Sequence, residues 1–95
     1  MAQVDRATRE DVEHLLARAS AAWESLPDVQ RDFVQWDLVD QLAFIEEWPL
    51  EEERLERLAT LARVDIFSDS QRARYARLLR VVADTRPIVE RLRCA

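Results

Sequence analysis

The chain has 95 residues with 14 Arg, no Lys, no Asn and no Gly, and its 19 acidic side chains leave a formal net charge of −5. Without glycine there is no P-loop, dinucleotide fingerprint or nucleophile elbow, since each needs positive φ or close backbone approach to a ligand, and tight hairpins are equally disfavoured. One cysteine and one histidine exclude an internal disulfide and a structural zinc site, which takes four such ligands.

Hydrophobic residues make up 48% of the chain and charged ones 35%, which suits one small globular domain. No segment has the apolar core of a signal peptide or the roughly 18 uncharged residues of a membrane span. A cytoplasmic protein is expected, with residues 1–7 as a flexible lead-in to a single helical domain over 1–95.

The first predicted helix runs from about Thr8, in a capping arrangement with Asp11, to about Ser25. Val12, Leu15, Leu16, Ala19, Ala22, Trp23 and Leu26 form one stripe at steps of three and four, as in a helix with a single buried side. His14 falls opposite that stripe. The Asp11-x-x-His14 spacing is that of carboxylate-bundle metal ligands, but the other inward carboxylates such a site needs have no counterpart. An exposed histidine is the expectation.

The second predicted helix opens at Ser25-Leu26-Pro27-Asp28 and spans about 27–47. At 100° per residue, Val29, Phe33, Trp36, Val39, Ala43 and Phe44 share one face, while Val34, Leu38, Leu42 and Ile45 lie roughly opposite. A helix apolar on both sides is buried on both sides, within its own domain or against another chain. Val34, Leu38, Leu42 and Ile45, with Trp36 and Trp48, are therefore the candidate interface residues; tryptophan is enriched at interface hot spots.

Trp48-Pro49 should end that helix, with Pro49 opening a third over about 49–64. The run Glu51-Glu52-Glu53 suits a first turn. Ser68-Asp69-Ser70-Gln71 is a capping box for a fourth helix over about 69–93, with Phe67 pinning the turn to the core. A break is expected at Asp84 to Arg86, followed by a short last helix from Pro87. The predicted fold is all-α: a small antiparallel bundle of four helices plus a short C-terminal one, completed by dimerisation.

Charge is unevenly placed. Residues 28–56 carry ten acids against two Arg, and residues 70–95 carry seven Arg against two acids. Neutralisation between neighbouring helices is the simplest outcome. Arg86 falls on the apolar side of its helix, so a buried ion pair with Asp40 is expected. Asp37 and Asp40 are the carboxylates nearest to acid–base candidates, and ion pairing accounts for them better. Arg74, Arg77, Arg80 and Arg91 form a basic face pointing outward.

No nucleophile can be matched with a base, so the chain is read as a non-enzyme with no cofactor and no metal. The leading expectation is a small soluble helical interaction or assembly protein, a homodimer through the second predicted helix. The alternative is an acidic antagonist of a basic partner, of antitoxin or immunity type. A third is nucleic-acid association through the Arg face, disfavoured by a pI near 4.9 and by the absence of aromatics on that face. The partner is thus itself or another protein, and no membrane role is expected.

Overall fold

The apolar stripes resolve into three long helices and one short one. A computed structural model describes residues 2–94, with side chains from residue 9 onward. Helix α1 spans Ala2–Glu24, α2 spans Leu26–Asp32, a 3₁₀ turn covers Phe33–Gln35, α3 spans Leu38–Arg63 and α4 spans Asp69–Cys94. No strand occurs among the described residues. The expected flexible lead-in is helical backbone from Ala2, so Thr8 does not start the helix; its side chain, and Met1, lie outside the described residues.

α1 and α2 form one nearly continuous arm. Ser25, expected as a cap, is itself in the α conformation and makes no side-chain cap. Its hydroxyl donates back to the Ala22 carbonyl at 2.7 Å, and its carbonyl accepts from Val29. The chain reverses at 33–37 instead. Asp37 takes extended backbone and its carboxylate accepts the Asp40 N–H at 2.9 Å, the standard N-cap of a new helix. Gln41 donates its side-chain amide to the carbonyls of Phe33 and Trp36. These bonds take up polar groups that the turn leaves without helical partners.

Both expected proline breaks are absent. α3 runs through Pro49 and α4 through Pro87. Each ring stands on an exposed position, where water can reach the carbonyl deprived of its N–H donor, so the helix continues past the missing bond. Burial then holds each helix together across the defect. Trp48 beside Pro49 is 4% exposed, and Val89 and Leu92 beyond Pro87 stay on the buried face of Leu78, Val82 and Thr85. The expected count of four helices plus a short one therefore becomes three long helices and α2.

The bundle runs up, down and up. Glu13 meets Arg74 and Trp23 meets Arg86, so α1 and α4 are parallel. Asp11 meets Arg57, Trp23 meets Trp48 and Glu52 meets Arg86, so α3 is antiparallel to both. α1 is the central element, and Val12, Leu16, Ala19 and Trp23 on it have no exposed surface. Each such large side chain contributes roughly 1.5–3 kcal/mol. Trp23 packs edge-on against Trp48 at 4.9 Å, and aromatic contacts then continue through Phe44 to Phe33 and Trp36. This aromatic run fills the space between α3 and the α1–α2 arm.

Glycine would normally close a helix with positive φ, and this chain has none. Asp65 takes that role after α3, at φ 57°; Asp is one of the few residues that enters the left-handed region at modest cost. The next turn is fixed as the sequence anticipates: the Ser68 N–H donates to Gln71 Oε1 and the Gln71 N–H to Ser68 Oγ. Phe67 is buried and stacks edge-on with Tyr75.

Candidate functional site

The reversal at 33–37 changes which residues the N-terminal half of α3 presents. Val34, Val39, Leu38 and Leu42 are 81%, 74%, 67% and 48% exposed. Of the candidate interface residues, Val34, Leu38 and Leu42 are exposed, with Val34 in the turn and the other two on α3, and Ile45 and Trp36 are partly buried. Val39, grouped by its spacing with Phe33 and Phe44, is exposed, whereas Phe33 is buried and Phe44 partly so. The 3₁₀ turn and the extended residues at 36–37 reset the helical phase, so stepping at 100° from Val29 misplaces residues beyond the break. Trp48 is a core residue under Trp23 rather than part of an outward patch.

Exposed carboxylates alternate with these apolar residues along the chain. Asp37 and Asp40 stand exposed at the N-terminal end of α3, occupied only with capping. Glu46 and Glu47 follow, both exposed. None of these four makes an ion pair among the described residues.

The expected pair between Arg86 and Asp40 is not formed. Arg86 instead donates to Glu52 at 2.9 Å, with side chains 42% and 33% exposed. Because α3 continues past Pro49 antiparallel to α4, Glu52 comes level with Arg86, and Asp40 stands about 18 Å further along the helix. The guanidinium also lies 5.2 Å from the Trp23 ring centroid, a cation–π distance.

The basic face is divided. Arg74 belongs to the fold, bonding Glu13 of α1 at 2.5 Å. Arg77, Arg80 and Arg91 are exposed without ion pairs among the described residues, with exposed Asp84 between them. Charge neutralisation between the acidic and basic blocks is correspondingly small, since Glu52–Arg86 is the α3–α4 bridge. Arg72 turns instead to Asp65 and Asp69 nearby.

Gln71 was legible as a cap but not as a cross-link. Only 3% exposed, it donates to Glu13 Oε1 at 3.0 Å. The Arg74 and Gln71 bonds hold the Glu13 carboxyl below the usual carboxylate range against a small opposing effect of burial. A cavity of about 720 Å³ forms an open groove beside these groups, lined by Glu10, Glu13, His14, Ser68 and Gln71 among others. Its serine and glutamine are engaged in the cap, and His14 is exposed as expected. Among the described residues no cluster of His, Cys, Asp or Glu is placed to hold a metal ion, and no helix is long and apolar enough to cross a membrane. Compared with protein-family models, curated proteins and solved structures, the chain matches none of them.

Proposed function

We propose that this protein acts by docking, as a non-catalytic helical assembly module that buries the head of α3 against another polypeptide. One observation carries this reading: Val34, Leu38, Val39 and Leu42, within nine residues of one another, are all exposed, and none of them belongs to the buried core cluster. Single exposed aliphatic residues are ordinary on a monomer, whereas a contiguous patch with a polar rim is the usual form of an interaction site. The rim here is Asp37, Asp40, Glu46 and Glu47.

An environment-sensitive apolar dye such as bis-ANS tests the head itself, whatever covers it. At about 1 µM protein, the double variant Leu38→Ser/Leu42→Ser should lose most of the dye signal while keeping its melting temperature, because both side chains stand outside the core. Equal dye binding by the two proteins would remove the basis for a docking role.

A second reading is an antagonist that masks a basic partner, and the unpaired carboxylates around the head and along α3 favour it. Like-charged rims repel and opposite ones steer association, so binding to such a partner would weaken as salt is raised. The stripe of Arg77, Arg80 and Arg91 gives less support to nucleic-acid association, because Asp84 interrupts it.

A further inference from the structure

α3 carries a second apolar repeat beside the one that faces its own core. Leu38, Leu42, Ile45 and Pro49 follow at steps of four, three and four residues, the spacing of a coiled-coil seam. The strip is short. One and two turns on, Glu53 and Glu56 occupy the same outward side of the helix.

Resting on the docking role of this face, we propose that its occupant is a second copy of the chain, the two α3 helices crossing antiparallel about a two-fold axis between Leu42 and Ile45. Area favours a partner of this kind. The chain is 49 Å long with a radius of gyration of 15.2 Å, against about 12 Å for a compact domain of its length. It exposes 6692 Å², against about 5,700 Å² for a compact monomer of this mass. The excess, about 1,000 Å² over the whole chain, is of the order of the roughly 800 Å² that each partner contributes to a standard interface.

The seam is also complementary to itself. In the antiparallel arrangement Leu42 meets Ile45 of the partner subunit, and Leu38 meets the partner's Pro49, so one patch serves both chains. Charge sets the direction. Parallel helices would lay Glu53 and Glu56 of both copies side by side, whereas antiparallel helices send the two acidic halves to opposite ends. Asp37, Asp40, Glu46 and Glu47 still border the seam in both copies, and the Arg31 of α2 is already engaged with Asp28 and Asp32. The dimer therefore tightens as salt screens the rim, the reverse of what a basic partner would show.

Sedimentation equilibrium of the full chain from about 2 to 200 µM, at 0.05 and 0.5 M NaCl, reads this directly. The expected result is twice the 11.2 kDa chain mass, with a dissociation constant of about 10–100 µM that falls several-fold at the higher salt. Leu42→Glu should weaken association at least 30-fold, and Val64→Glu, at the far end of α3, should not change it. In a Cys94→Ser background, mixing Leu42→Cys chains with Ile45→Cys chains under oxidation should give mainly the mixed disulfide. Predominant Leu42→Cys homodimers would overturn the antiparallel axis. A chain that stays at 11.2 kDa at the highest concentration, yet binds bis-ANS at its head, would overturn the second copy while leaving the docking face intact. Monomer without dye binding would remove both.

Discussion

Arg86 and Glu52 meet at 2.9 Å across the bundle, joining α4 to α3 at the level where the Arg86 guanidinium also covers the Trp23 ring. The pair is partly exposed, so its electrostatic worth is discounted by solvent to at most about 1 kcal/mol. The ring contact adds about 0.5–1 kcal/mol. Arg86→Ala should therefore cost about 1–2 kcal/mol in urea denaturation, clearly less than the roughly 3 kcal/mol of a fully buried pair. Glu52→Gln should cost less than Arg86→Ala, because the cation stays on the indole. Equal losses would mean that the ring contact contributes nothing.

What was legible in the sequence was what depends on neighbours along the chain. The α1 stripe and the Ser68–Gln71 box both follow from residues within a turn or two of one another. That Leu38 and Leu42 share a face was legible too, because their i,i+4 relation survives any shift of phase, whereas which side that face turns to was not. Contacts between helices were not. Asp40 was matched to Arg86 because each falls in or beside an apolar face, which does not fix the level at which two helices meet; in the folded chain that level is Glu52. The reversal did carry a signal in Asp37-x-x-Asp40, an acceptor three residues ahead of a free N–H. Stronger proline signals on either side obscured it. Nothing in one sequence marks Trp23 and Trp48 as partners.

Acidification should act partly through Glu13. Its hydrogen bonds to Arg74 and Gln71 lower its pKa in the folded chain. A carboxyl depressed on folding contributes stability above its unfolded pKa and loses it as pH falls through the folded one. Thermal melts between about pH 7 and pH 3 should show Glu13→Gln less stable than the parent at neutral pH. The difference should narrow through the acid range as the parent's Glu13 is protonated. A constant difference would place the effect of the substitution outside this titration.

The left-handed Asp65 should reveal itself by rank order. A residue with a Cβ costs about 1–2 kcal/mol in this conformation, less for Asp, and Gly escapes the clash. Glycine also gives the unfolded chain more freedom, an offset of about 0.4–1 kcal/mol, and removes the exposed contact with Arg72. Asp65→Gly is therefore expected within about 0.5 kcal/mol of the parent or slightly above it, and Asp65→Ala about 1 kcal/mol below. Chemical denaturation decides the order, and an Ala variant as stable as the Gly one would contradict the positive φ.

Pro49 gives the sharpest test of the long third helix. As the first residue of a separate helix it would be well suited, since its missing N–H would have no helical acceptor there and its fixed φ is pre-organised. Inside α3 it deprives the Ile45 carbonyl of its donor and crowds it, a penalty of about 3 kcal/mol for an interior proline. Exposure of the site to water recovers part of that, and proline's restriction of the unfolded chain recovers about 0.4–1 kcal/mol more. Pro49→Ala should then stabilise the chain by about 1–2 kcal/mol in urea denaturation at about 1 µM, where association through the head does not contribute. Pro87→Ala should act in the same direction, restoring a donor to the Ala83 carbonyl. If Pro49→Ala is neutral or destabilising, the residue begins a helix of its own, and the level at which Glu52 meets Arg86 falls with the continuity of α3.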